Sequence, residues 1–212
     1  MNPEEIEIKL DLANQDNYRR LIDNLGICQN EFHQENIFID TIDKDFKSAE
    51  KTVRIRREND TVTLTIKGKS VSRQNGLAIR PEINIKTDIS IYNAAQNNTL
   101  SVTNLPRDIL NQFGELESKK PLVIIVAFEN NRRQYSFDTE IGSLLLVVDA
   151  TEYPDGSIEY ELELELADKN DADLALKYLS NLLENLDIPV MPQNDSKFTR
   201  ALRRQSRAGY DR

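Results

Sequence analysis

Several stretches of the chain set ionised side chains at alternate positions. Glu5, Glu7 and Lys9 alternate with Ile6, Ile8 and Leu10. Arg54 and Arg56 alternate with Val53 and Ile55, Lys67 and Lys69 follow Leu64 and Ile66, and Arg80 and Glu82 precede Ile83 and Ile85. Glu159, Glu161, Glu163 and Glu165 alternate with Tyr160, Leu162, Leu164 and Leu166. In an extended chain, alternate residues share one face roughly 6–7 Å apart. Carboxylates so spaced repel unless a cation answers them. Guanidinium and ammonium groups converging from several strands bind a polyanion, with Arg forking onto phosphate oxygens. Clustered Glu and Asp do not bind phosphate directly, but they hold Mg²⁺ or Mn²⁺, which bridges carboxylate and phosphate. The two sets together describe a metal–polyphosphate site.

The rest of the inventory removes other chemistries. The 212 residues contain one cysteine, Cys28, and one histidine, His33. There is no disulfide framework, no multi-histidine zinc site, and no GxSxG to accompany a catalytic triad. The net charge of −9 disfavours a phosphate-tracking nucleic-acid surface. No apolar run approaches a membrane span, the first ten residues contain no apolar signal segment, and a lone cysteine suits a reducing compartment. The expectation is a cytoplasmic protein without nucleic-acid or membrane partners. Its oligomeric state is not readable.

The elements that must carry these residues are mostly strands. Alternation predicts strands over Glu5–Leu12, Asn36–Thr41, Thr52–Glu58, Val62–Lys69, Ile79–Thr87, Pro121–Phe128, Arg132–Asp138, Leu144–Thr151 and Ser157–Leu166. Asn59-Asp60, Asn130-Asn131 and Pro154-Asp155-Gly156 read as hairpin turns. Helices are expected over 14–24, 106–113 and 171–186, the last N-capped by Asp171. Residues 92–104 read as a polar loop. Pro81 points to an edge or a bulge in its strand. A single domain over 1–202 is expected, with a basic tail over 203–212.

The apolar faces opposite the ionic ones are strong enough to be covered by helices. If the sheet curls with that face outward, the ionic face becomes the lumen. This inverts the usual small barrel, whose interior is filled by apolar side chains. Pattern alone leaves a second arrangement open, a sheet with salt-bridged solvent faces. Few aromatics are expected in the lumen. Arg57 has the opposite strand parity to Arg54 and Arg56, and Lys69 is placed beyond the bore.

Read in order, the residues resemble a known family. Glu5-x-Glu7-x-Lys9 matches the ExExK signature of the CYTH proteins, the triphosphate tunnel metalloenzymes. Arg54-x-Arg56, Lys67, Arg80-x-Glu82, Arg132-x-x-Tyr135, Asp149, Glu161-x-Glu163-x-Glu165 and Ser196-Lys197-Phe198 follow along residues 4–202. The stretches around Phe128–Tyr135 and Val148–Glu165 are most similar to the plant-type inorganic tripolyphosphatases. The resemblance implies a mainly β (α+β) protein: a closed eight-stranded antiparallel β-barrel with helices packed outside. It implies that Lys9, Arg54, Arg56, Lys67, Arg80, Arg132 and Lys197 contact a triphosphate. It implies that Glu5, Glu7, Glu163 and Glu165 hold Mg²⁺ or Mn²⁺, with Asp149 and Glu161 in the same metal set. Glu5, Glu7, Glu163, Glu165 and Lys9 would then serve catalysis.

The implied activity is metal-dependent hydrolysis of inorganic tripolyphosphate to pyrophosphate and phosphate. The family also contains thiamine triphosphatases and class IV adenylate cyclases, and a noncatalytic polyphosphate-binding module is a further alternative. The intact carboxylate set argues against a pure binder, because those charges oppose an anion unless metal is present. One departure stands out. The fifth strand often reads Arg-x-Glu-x-Glu in this family, and here Asn84 replaces the second Glu.

Overall fold

The computed structural model describes residues 4–70, 72–113 and 119–208. In chain order the elements begin with β1 (Glu4–Asp11), α1 (Gln15–Asn24), β2 (Asn30–Thr41), α2 (Asp45–Ser48), β3 (Thr52–Glu58), β4 (Thr61–Lys67), β5 (Ser72–Gln74) and β6 (Leu77–Thr87). They continue with α3 (Ile89–Gln96), α4 (Arg107–Leu110), β7 (Leu122–Thr139), β8 (Gly142–Glu152), β9 (Ile158–Glu165), α5 (Ala172–Glu184), β10 (Met191–Pro192) and α6 (Lys197–Ala208). Eight strands close into an antiparallel barrel in the order β1-β9-β8-β7-β2-β3-β4-β6 and back to β1. β5 lengthens the sheet beside β6, and β10 pairs with the end of β1. No helix among the described residues is long and apolar enough to cross a membrane.

The apolar faces do point outward, under helices. Val53, Ile55, Leu64 and Ile66 pack with Phe46 of α2, Ile91, Tyr92 and Ala95 of α3, and Ile109 of α4. Ile8, Leu10, Leu146, Leu162 and Leu164 pack with Leu21 of α1 and with Ala175, Leu179 and Leu183 of α5. Local chemistry fixes the ends. Asn14 caps α1 by accepting from the Asn17 N–H, and Gly26 follows that helix at positive φ. Asn59, also at positive φ, turns β3 into β4. At Gly76 the backbone presses on β1: an added Cβ would lie 2.3 Å from the Lys9 carbonyl oxygen. Only glycine permits that approach.

The structure departs from the sequence reading at four places. The expected turn at Asn130-Asn131 is absent, and β7 runs 18 residues through it. Asn130 pairs in the ladder with Gln34 on one side and Thr151 on the other. With that merger the nine expected strands become the eight of the barrel. The expected loop over 92–104 begins inside α3, where Ile91, Tyr92 and Ala95 bury one face. β2 starts at Asn30, six residues before the expected Asn36. The division at 202/203 falls within α6, where Arg203 pairs with Asp195 and Arg204 with Asp155. Residues 209–212 of the expected tail lie outside the described residues. At Pro81 the carbonyl accepts from the Gly68 N–H just past the end of β4, so its missing donor faces the point where that ladder stops.

Candidate active site

Strand alternation delivers the ionic faces to one bore, a cavity of about 970 Å³ lined by Glu5, Glu7, Lys9, Arg54, Arg56, Lys67, Arg80, Arg132, Glu163, Glu165 and Lys197. Register sets the neighbours: Glu7 lies opposite Glu165, Lys9 opposite Glu163, Asp149 opposite both Glu161 and Arg132. The charges sort into three groups.

The first group joins β1, β4 and β6. Lys67 Nζ lies 3.0 Å from Glu5 and 2.6 Å from Glu82. Arg80 donates from Nε to Glu5 at 2.6 Å and from a terminal nitrogen to Glu7 at 2.9 Å, and Lys9 meets Glu7 at 2.8 Å. Burial alone would raise the Glu5 carboxyl, but Lys67 and Arg80 outweigh it and hold Glu5 well below the ordinary carboxylate range. Burial lowers Lys67, partly answered by Glu5.

The second group lies beneath α6. Arg132 forks onto Asp149, with bonds of 2.9 and 2.7 Å, and also reaches Glu163 at 2.6 Å. Lys197, the first residue of α6, places its ammonium among Asp149 at 2.8 Å, Glu163 at 2.9 Å, and Glu161. Burial would raise all three carboxyls. At Asp149 the cations Arg132 and Lys197 outweigh it, and at Glu163 Lys197, Arg132 and Lys9 do so, so both are lowered. At Glu161 burial wins over Lys197 and Arg200, and the carboxyl is raised. Glu165, at the rim of the bore, is likewise raised by burial and carries no ion pair among the described residues.

The third group is Arg54 and Arg56 on β3. Among the described residues neither has a carboxylate within ion-pair distance. Arg54 donates to Thr65 Oγ1 at 3.1 Å and leaves its buried Nε without a partner. Arg56 donates to Asn36 at 3.0 Å. Burial pulls both guanidinium values down, Arg56 furthest because Arg54 and Arg132 add like charge. Two cations without an ion pair among the described residues are able to accept an anion. Asn84, in place of the usual Glu, accepts from Thr65 and so leaves the Arg54 side free of a carboxylate.

The donor chemistry of the second group fits a hard divalent cation. Asp149, Glu161 and Glu163 each offer a carboxylate oxygen, these atoms lie within 4.8 Å of one another, and all three residues are buried. A cation of the chain itself, the Lys197 ammonium, lies among them. Glu5 and Glu7 stand on the neighbouring strand β1 in ion pairs with Lys67, Arg80 and Lys9, and Glu165 is more exposed than this trio.

The bore also holds residues that the sequence reading missed. Phe38, Phe128 and Phe198 line it, so the expected scarcity of lumen aromatics is wrong. Phe38 stacks on Phe198 with centroids 4.6 Å apart. Both strand residues share parity with Asn36 and Arg132, a signal present in the sequence. A bulge at Phe38/Ile39 re-aims the chain just beyond. α6 seats Phe198, Ala201 and Leu202 on Phe38, Val126, Phe128 and Tyr153. Arg200, not singled out by the sequence reading, is buried and ties Glu159, Glu161 and the Tyr153 hydroxyl. Its spacing of three from Lys197 puts both on one helix face. Arg57 points outward to Glu35, and Lys69 pairs with Glu50 in solvent. His33 is exposed, hydrogen-bonded to Asn131.

Comparison with known proteins adds an independent line. The model of the CYTH domain family matches residues 3–194. HpAC1 from Hippeastrum, described as revealing a dominant triphosphatase activity, is 26% identical over 97% of this chain and 96% of its own, with a TM-score of 0.83. A Bacillus halodurans protein described as a candidate adenylate cyclase is 24% identical over 94% of this chain and 98% of its own, with a TM-score of 0.68. The PH1819 protein of Pyrococcus horikoshii OT3 is 19% identical over 91% of this chain and 96% of its own, at a TM-score of 0.58. The last two likenesses are of fold. No match was found among curated proteins.

Proposed function

The chain belongs to the CYTH domain family, and from that premise we propose that it hydrolyses inorganic tripolyphosphate to pyrophosphate and phosphate, with Mg²⁺ or Mn²⁺ held by the bore carboxylates. The observation that carries this reading is the pair Arg54 and Arg56, a buried and a half-buried guanidinium that face the cavity with no ion pair among the described residues. The triphosphatase activity attributed to HpAC1 agrees with it.

In this reading Arg54 and Arg56 bind the phosphate chain and, with Lys9, Lys67, Arg80 and Arg132, orient it and stabilise charge on the departing pyrophosphate. Asp149, Glu161 and Glu163 hold one cation, and Glu5 and Glu7 are placed to hold another. A bound divalent cation neutralises phosphate oxygens and makes water a better nucleophile. Water attacks the terminal phosphorus, and the bridging P–O bond breaks. Glu165, unpaired and raised by burial, takes the proton from the attacking water.

A second reading rests on Phe38, Phe128 and Phe198, which give the cavity an apolar wall that inorganic triphosphate does not need. That wall favours an organic triphosphate such as thiamine triphosphate. Product analysis separates the two. Inorganic triphosphate, thiamine triphosphate and ATP are offered with each metal, beside a Glu7→Gln control. Fast orthophosphate release from inorganic triphosphate, absent in the control, is expected. Preference for thiamine triphosphate favours the second reading, and cyclic AMP with pyrophosphate from ATP overturns both.

A further inference from the structure

Lys197 holds an unusual position for a residue expected to contact substrate. Its ammonium lies among the carboxylates of Asp149, Glu161 and Glu163, 2.8 Å from the first and 2.9 Å from the last. Those are the oxygens best disposed to share a metal ion. Two cations do not occupy one such space.

We propose that Lys197 is a tethered counter-ion that a divalent cation must expel from the Asp149–Glu161–Glu163 trio, and that the expelled ammonium then serves the anion in the cavity. The proposal rests on the reading that the trio binds metal.

The surroundings decide what moves. α6 is fixed by Phe198, Ala201 and Leu202 against the bore wall, and by Arg200 on Glu159, Glu161 and Tyr153. The helix therefore stays seated. Arg132 grips Asp149 with two bonds and a rigid fork. The Lys197 stem has four rotatable carbons and ends in a point charge, so it is the part free to swing. It borders the same cavity as Arg54 and Arg56. A cation entering the trio thus adds its own charge and also delivers a further basic group to the phosphate chain. By linkage, metal and triphosphate tighten each other's binding through Lys197.

The test uses Mn²⁺ alone, without substrate, so a failure of the hydrolase reading leaves it intact. Calorimetric and paramagnetic-resonance titration of the whole chain should show Lys197→Met binding Mn²⁺ about tenfold more tightly than the unmodified protein, because the competitor is gone. Glu163→Gln should abolish that gain. On the unmodified protein, acylation of Lys197 by a small amine-reactive ester, mapped by mass spectrometry, should rise severalfold when Mn²⁺ is added. This second measurement stands even where the variant does not fold. Mn²⁺ affinity no greater in Lys197→Met, or acylation unchanged by Mn²⁺, overturns the proposal.

Discussion

Replacing Arg54 should move stability and substrate binding in opposite directions. Its guanidinium is buried, with one bond to Thr65, an unpartnered Nε and no ion pair among the described residues. Arg56 stands two residues along the same face, roughly 6–7 Å away. At an effective dielectric of about 20, two unit charges at that distance repel by about 2–3 kcal/mol. Arg54→Met removes that repulsion and the orphaned donor. It costs one neutral-acceptor hydrogen bond, about 1 kcal/mol, and some longer-range attraction to Glu82 and Glu5. The balance is a gain of about 1 kcal/mol, which for a chain of this size raises Tm by roughly 2–4 °C. The same change deletes charge-assisted bonds to phosphate and weakens triphosphate binding by about 2–5 kcal/mol, roughly thirty- to several-thousand-fold. Thermal melts in chelator, with calorimetric titration of triphosphate, read both effects. Lys67→Met is the contrast: it leaves Glu5 and Glu82 facing each other without their shared cation, so its Tm should fall. An Arg54→Met protein that melts as low as Lys67→Met would refute the claim that Arg54 is an unanswered charge.

Other perturbations test the remaining groups. Asp149, Glu163 and Glu5 have lowered values in the fold, so their stabilisation is complete above the unfolded value of roughly 4 and is lost as pH falls through the folded ones. Glu161 and Glu165 are raised and cost stability above their folded values. A Tm profile should therefore rise gently from neutral pH toward about 5 and drop below about 4, with Glu165→Gln flattening the rise. Glu7→Gln should cut turnover at least ~100-fold while triphosphate affinity holds or improves, since a carboxylate opposes the anion; steady-state kinetics beside calorimetry distinguish the two effects. Asn84→Glu, which restores the usual family residue, should place a carboxylate near Arg54 through Thr65 and weaken triphosphate binding about tenfold in the same titration.

The ionic strand faces were legible from period-two alternation, and their closure into one bore was legible only through the resemblance. Spacing placed Glu7, Arg54 and Glu163 each on the ionic face of its own strand, and the resemblance to the CYTH proteins implied that those faces share a lumen. The partition of those charges was not legible. Which cation meets which carboxylate depends on register across strands far apart in sequence, as where Lys67 meets Glu5. Turn chemistry misled at Asn130-Asn131. Asn130 is a bore residue whose amide bonds Gln34 and Asp149 and accepts from Thr151, so its polarity served the lumen and not a turn. α3 escaped notice because its buried face is short, only Ile91, Tyr92 and Ala95, and polar residues follow it. The apolar wall was overlooked although Phe38 and Phe128 hold the parity of Asn36 and Arg132. Arg200 lacked any strand pattern to betray it.

The seam of the barrel has a consequence for how the chain acquires its site. β1 joins β6 through pairs such as Ile6 with Ile79, and joins β9 through Glu7 with Glu165 and Lys9 with Glu163. The second junction links residues near the start of the chain to residues that leave the ribosome much later. Loop-closure entropy delays such distant pairings, so closure between β1 and β9 belongs to the slow end of folding. Until then both strands present open edges on which another chain can add. Glu7 and Lys9 stand on one side of that seam and Glu161, Glu163 and Glu165 on the other. Nascent chains still lacking β9 therefore carry Arg54 and Arg56 without Glu161, Glu163 and Glu165, and the full charge set of the bore assembles only once β9 closes the ring and α6 brings in Lys197.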